Sequence, residues 1–235
     1  MKTEIIAEIG QNHNGDIELA EKLIKTAADS GADAAKFQLY DARKLFPGKA
    51  ENPWFDYNCQ TELSRKDVDH LHNICSKIGI EFLASVFDTE RLEWLESLSV
   101  ARYKVASRSI NDGALIDALV STGKPLIVSL GAWTHSEFPQ IDSPAPVEFL
   151  YCISKYPTPL NDLELSKVDF KKYAGFSDHS LGISAACASF ALGGRILEKH
   201  FTLDKTAFGP DHQGSMTPTE LMKLHEFRSD WELLK

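Results

Sequence analysis

Residues 4–10 read Glu4-Ile5-Ile6-Ala7-Glu8-Ile9-Gly10, an apolar run with one interior carboxylate, closed by a glycine. Such a run is too short for a helix and predicts a strand buried in a parallel sheet. Similar runs recur at 34–39, 81–86, 102–107, 125–130, 147–152, 174–177 and 195–200. Between them the spacing is helical. Leu19, Leu23, Ala27 and Ala28 form an apolar stripe that Gly31 stops, and Val68, Leu71, Ile74 and Cys75 form another, ended by Gly79. Leu92, Leu95 and Leu98 make a third, Leu115, Leu119 and Val120 precede Gly123, and a small-residue helix over 183–192 meets Gly193-Gly194. Thr217-Pro218-Thr219-Glu220 is a capping box with proline at the first helical position, and it opens the last helix. Eight strand runs alternating with about seven helices predict a single (β/α)8 TIM barrel over residues 1–235.

Two segments break the rhythm. Residues 40–60 read as a long, aromatic and polar connection, and the fifth crossover, 131–146, holds Pro139, Pro144 and Pro146 where a helix belongs. The doubly wound alternative needs a glycine-rich fingerprint after its first strand. The two glycines of Gly10-Gln11-Asn12-His13-Asn14-Gly15 have the wrong spacing for one.

Composition narrows the function. The chain has 235 residues, 43% hydrophobic and 25% charged, which fits one barrel of about 250 residues and excludes a disordered chain. No apolar stretch approaches the roughly 20 residues that span a bilayer. The charged start runs straight into the first strand, so a soluble cytoplasmic protein without a signal peptide is expected. With 25 basic against 34 acidic residues the net charge is −9, which argues against a nucleic-acid partner. Cys59, Cys75, Cys152 and Cys187 are far apart and form no CxxC pair, as reduced thiols would.

A barrel carries its chemistry at the carboxyl ends of its strands. Those ends here hold Glu8, Lys36 and Gln38, Ser85, Lys104 and Ser107, Ser129, Ser154, Ser177-Asp178-His179, and Glu198 with His200. Lys36 and Lys104 lie on different strands and, with Ser85, Ser107 and Ser129 as donors, would converge on a phosphate or carboxylate. The competing reading pairs each lysine with a buried glutamate such as Glu8 or Glu198. His179 and His200 end consecutive strands with Asp211 close behind, a pattern that suits Mn²⁺, Mg²⁺ or Zn²⁺ as a Lewis acid. Spacing alone equally permits two histidines satisfied by backbone, or a general base. His13, His70, His72, His135 and His225 read as surface groups, His13 in the first active-end loop.

Taken together, Ala7-Glu8-Ile9-Gly10-Gln11-Asn12-His13-Asn14-Gly15, Lys36-Phe37-Gln38, Lys104-Val105-Ala106-Ser107, Tyr156-Pro157-Thr158-Pro159, Gly175-Phe176-Ser177-Asp178-His179, Glu198-Lys199-His200-Phe201-Thr202 and Gly209-Pro210-Asp211-His212 resemble the sialic acid synthases. The resemblance implies a (β/α)8 transferase that condenses phosphoenolpyruvate with an amino sugar or related aldehyde to give a nonulosonic acid, using Mn²⁺ or Mg²⁺, as a homodimer. It implies His179 and His200 as metal ligands, Asp211 near a metal-bound water, and Glu8 beside sugar and metal. Lys36, Ser85, Lys104, Ser107, Ser129 and Ser177 match positions holding phosphoenolpyruvate, Gln38 and Ser154 join the substrate-binding set, and Tyr156 matches an acceptor-side tyrosine.

The sequence also departs from the pattern. Ser109 stands where a glutamate proposed as acid/base is expected, Ser154 replaces an asparagine, and Gly131-Ala132 replaces glycine-methionine. The chain reads as the barrel alone, without the antifreeze-like C-terminal domain whose arginine reaches the partner protomer's site. The donor half of the site is therefore expected intact and the acceptor half altered. A non-catalytic barrel binding phosphoenolpyruvate or a sugar phosphate is the alternative, and an aldolase with a Schiff-base lysine a third reading.

Overall fold

A computed structural model describes residues 3–46, 48 and 51–234. Eight parallel strands close in chain order into a barrel: β1 Glu4–Gly10, β2 Ala34–Leu39, β3 Glu81–Val86, β4 Tyr103–Val105, β5 Leu126–Ser129, β6 Val147–Cys152, β7 Gly175–Asp178 and β8 Ile196–His200. The helices are α1 Ile17–Asp29, α2 Ala42–Leu45, α3 Phe55–Gln60, α4 Arg65–Ile78, α5 Thr89–Ser97, α6 Gly113–Ser121, α7 Ser184–Ala191 and α8 Pro218–Leu233. This is the (β/α)8 barrel that the alternating pattern predicts.

The barrel interior follows from the two-residue period of strands, which keeps alternate side chains on one face. At the amino ends Arg102 donates to both Glu4 and Glu81 at 2.7–2.9 Å, tying β1 and β3 to the residue before β4. Ile6, Ala34, Leu83, Ile127, Leu150 and Ile196 lie above this cluster and belong to an apolar plug. Two residues further along the same six strands stand Glu8, Lys36, Ser85, Ser129, Cys152 and Glu198, all buried. Each strand thus turns from apolar to polar in a single step, and the plug beneath excludes water from the floor of the polar end. The outward-facing residues join the larger core against the helices.

Local signals place the helix ends. Asp16 accepts from the backbone N–H of Glu18 and Leu19 at the start of α1. Capping boxes formed by Ser64 with Asp67 and by Thr217 with Glu220 open α4 and α8. Gly79, at φ 85°, closes α4 in the left-handed conformation that glycine adopts without steric penalty.

Three segments differ from the sequence reading. The 40–60 connection contains α2 and α3, whose short length hid them from periodicity. The sixth crossover carries only the short 3-10 turns Leu160–Asp162 and Leu165–Lys167, while the fifth has no helix among its described residues, as its prolines predict. The outer side chains of β6, Val147, Phe149 and Tyr151, are therefore half-buried. Aromatic rings stand in for the helices: Phe138 packs on Phe149 and Tyr173 at 5.1 and 4.6 Å between centroids, and Tyr173 on Tyr151 at 5.7 Å. Finally, His13 is buried rather than a surface group, because its loop folds inward beneath the rim. His72 and His225 are half-buried, while His70 and His135 are exposed.

Candidate active site

At the carboxyl ends of the strands lies a cavity of ≈ 350 Å³. All thirteen residues singled out for the site line it: Glu8, Lys36, Gln38, Ser85, Lys104, Ser107, Ser129, Ser154, Tyr156, Ser177, His179, His200 and Asp211.

Its floor is an ion cluster. Lys36 Nζ lies 2.7 Å from Glu8 Oε2 and 3.4 Å from Glu198 Oε2, and Lys104 Nζ lies 3.7 Å from Glu198 Oε1. Gln38 donates to Glu8 at 2.7 Å, and Ser177 donates to Glu198 at 2.8 Å. Lys104 donates to Ser129 Oγ at 2.7 Å and to the Val105 carbonyl at 2.9 Å. Lysine–glutamate pairing is thus what the geometry shows, and it fixes both ammonium groups without using all their donors. Burial opposes the charge on Lys36, but Glu198 and Glu8 outweigh it and raise its pKa. For Lys104 burial dominates and lowers the pKa despite Glu198. Burial likewise opposes the Glu198 carboxylate, which Lys104 and Lys36 hold well below the usual range. Ser85 Oγ is buried on this floor with no hydrogen-bond partner among the described residues, an open position for a ligand oxygen.

One wall carries the imidazoles. His179 Nδ1 lies 2.9 Å from the Ile153 carbonyl, which can only accept, so Nδ1 donates there and Nε2 is the nitrogen left for a ligand. His200 Nδ1 is buried without a hydrogen bond and stands 3.8 Å from Asp211 Oδ2. The two rings are 5.9 Å apart between centroids, and Tyr156 packs on His179 at 4.1 Å. Among the described residues no three His, Cys, Asp or Glu side chains form a ready-made metal cage. Two imidazoles, one with an orphaned nitrogen, and a carboxylate behind them nevertheless fit a divalent ion that keeps open coordination positions.

The far wall depends on Gly131, whose N–H donates to Ser107 Oγ at 3.0 Å. A Cβ there would come within 2.6 Å of Ser154 Oγ, 2.8 Å of Cys152 Sγ and 2.9 Å of Ser107 Oγ. Only glycine lets the three strand ends close up.

Several lining residues escaped the sequence reading. Glu198 was legible as a strand-end charge and as a lysine partner, yet its place at the centre of the floor was not. Gln11, Phe46 and Phe87 also line the cavity, and so does Arg108. Ser109, which replaces the expected glutamate, is buried and is not among the lining residues. Its neighbour Arg108 occupies that side of the cavity instead. The two share the 3-10 turn Ser107–Ser109, and its backbone geometry decides which of them faces in.

The model of the NeuB family matches residues 23–233. The chain is 35% identical over 248 residues to the N,N'-diacetyllegionaminic acid synthase of Campylobacter jejuni, covering 95% of this chain and 74% of that protein. It is 36% identical over 242 residues to the N-acetylneuraminate-9-phosphate synthase of Mus musculus, covering 94% and 67% of the two chains. Among solved structures, the N-acetylneuraminic acid synthetase of Leptospira borgpetersenii in complex with citrate superposes with a TM-score of 0.91 at 33% identity, covering 100% of this chain and 85% of that one.

Proposed function

The chain belongs to the NeuB family, and from that premise we propose that it is a carbon–carbon bond-forming transferase that condenses phosphoenolpyruvate with the aldehyde form of an amino sugar. The carrying observation is the cavity floor, where two buried lysines, four serine hydroxyls and a carboxylate cluster face a pair of imidazoles across one cavity.

In the overall reaction the enol carbon of phosphoenolpyruvate bonds to the aldehyde carbon of the sugar. Water adds to the carbon that bore the phosphate ester and gives up a proton, and the aldehyde oxygen takes one up to become a hydroxyl. The bond from the ester-bearing carbon to the phosphate oxygen breaks, and a nonulosonic acid and inorganic phosphate leave. Lys36 and Lys104 would donate to the anionic donor's oxygens through the N–H groups that Glu8 and Glu198 leave unused, and Ser85, Ser107, Ser129 and Ser177 would orient those oxygens. Glu8 and Glu198 position the two ammonium groups, and the apolar plug beneath keeps the charge pairs strong by excluding water. Glu8 would face the sugar, with Gln38 fixing its orientation, and Tyr156 would cover the sugar ring. His179 and His200, with Asp211 behind, would hold Mn²⁺ or Mg²⁺, which supplies Lewis-acid chemistry at a carbonyl oxygen.

The test is phosphate release from phosphoenolpyruvate by the protein with added Mn²⁺, across a panel of N-acyl hexosamines and their phosphates. Release that requires both the enol phosphate and one sugar, with one nonulosonic acid formed per phosphate, is expected. Phosphoenolpyruvate binding without turnover on any sugar would assign the barrel a binding role instead.

A further inference from the structure

We propose that Arg108 forms an anion-binding subsite at the mouth of the cavity, so that the acceptor carries a phosphate ester or carboxylate at the end remote from its reacting carbonyl. This deepens the condensation reading and rests on it.

Among the described residues three Lys or Arg side chains line the cavity, and they stand in different surroundings. Lys36 and Lys104 are 3% and 1% exposed on the floor, where Glu8 and Glu198 compensate their charge. Arg108 is exposed at the open end, and among the described residues no carboxylate lies within ion-pair distance of it. Its contacts are a long hydrogen bond of 3.4 Å to the Leu45 carbonyl and the face of Phe46, 5.0 Å from the guanidinium carbon. A ring face and one carbonyl hold the guanidinium in place while leaving most of its five N–H groups and all of its charge available.

Chain geometry produces this division. Lys104 lies on β4 and points into the floor, and the 3-10 turn directly after the strand brings Arg108 up to the rim, opposite Phe46 at the end of α2. A donor seated on the floor already meets two ammonium groups and the serine hydroxyls. What remains for Arg108 is the end of the acceptor that projects outward. A neutral sugar would leave the guanidinium hydrated. An anionic group there would accept two parallel N–H bonds, the pairing that a guanidinium makes best with phosphate or carboxylate.

The test uses acceptors that bind but cannot condense because their carbonyl has been reduced. The probes are the alditol of N-acetylmannosamine, its 6-phosphate and the analogue with a carboxylate at carbon 6. Each is titrated calorimetrically into the protein with Mn²⁺ and phosphoenolpyruvate present. At least one anionic alditol should bind about tenfold or more tightly than the neutral one, a difference of about 1.4 kcal/mol, and the tighter of the two identifies the group. In Arg108→Ala the ratio should fall to near one, and Arg108→Lys, which keeps the charge without the fork, should retain part of it. With the unreduced sugars the loss should appear in KM rather than kcat. Equal binding of neutral and anionic alditols, or a ratio unchanged in Arg108→Ala, would overturn the subsite. Absence of turnover on every sugar with the ratio intact would sink the condensation reading and leave the subsite standing.

Discussion

His13 shows what a single buried side chain does to the whole chain's pH response. It is 1% exposed, its Nδ1 accepts from the Gly15 N–H at 3.1 Å, and its Nε2 has no hydrogen-bond partner among the described residues. Burial lowers its pKa from 6.5 to about 4, against the opposing pull of Asp67 and Asp16. Between those values the unfolded chain takes up a proton that the folded one refuses. Stability is therefore complete above pH 6.5 and is lost as pH falls toward 4, by up to about 3 kcal/mol from this group. Urea unfolding of the parent and of His13→Gln between pH 7 and 4.5 should show a smaller acid loss in the variant, and parallel curves would contradict the burial effect. The lysines make a second prediction at this scale. Lys36→Met and Lys104→Met each delete a cation from a dry floor and leave Glu8 and Glu198 undercompensated. Phosphoenolpyruvate affinity should drop about tenfold or more in each, read by calorimetry. Unchanged binding in both would remove the anion site. Glu8, Lys36 and Glu198 were legible in the sequence because the two-residue period of a strand is local information. The inward turn of Arg108 rather than Ser109, and the burial of His13, were not, since both are set by how a loop lies on the finished barrel.

Among elements, the junction of β5 with the fifth crossover is the most exacting. Gly131 allows Ser107 from the end of β4, and Cys152 and Ser154 from the end of β6, to approach, and its N–H holds Ser107 in place. Gly131→Ala would push the Ser107 hydroxyl off that N–H while leaving the strands paired. The expected outcome is a several-fold weaker hold on phosphoenolpyruvate with a melting temperature within a few degrees of the parent, measured by calorimetry and thermal unfolding. A large loss of stability with binding intact would place the strain elsewhere. The glycine itself was visible in the sequence, but the need for it was not, because its neighbours are supplied by residues 107, 152 and 154 from other parts of the chain. The strands and the long amphipathic helices were read correctly for the opposite reason: their patterns are self-contained. Helices α2 and α3, at four and six residues, are too short to express a period.

For the molecule as a whole, the outer wall is uneven. Strands β1, β2, β3, β4, β7 and β8 are each followed, before the chain goes on, by an α-helix of eight residues or more, α4 serving β2, whereas β5 and β6 are followed by irregular chain and 3-10 turns. Solvent and thermal motion reach a strand through whatever lies outside it, and the outer side chains of β6 are only half-buried. Deuterium uptake followed by mass spectrometry should therefore rise sooner in peptides spanning 147–152 than in those spanning 4–10 or 34–39. Uniform protection around the barrel would show that the aromatic cluster serves as well as helices do. Past the end of β6 the chain continues directly into Ser154 and Tyr156 on the cavity wall. Breathing in this sector would consequently be felt on the acceptor side of the cavity, while the lysine floor stays anchored to the better-clad strands β2 and β4. The barrel would then grip one substrate rigidly and meet the other with a wall that yields, a division of compliance built in by two missing helices.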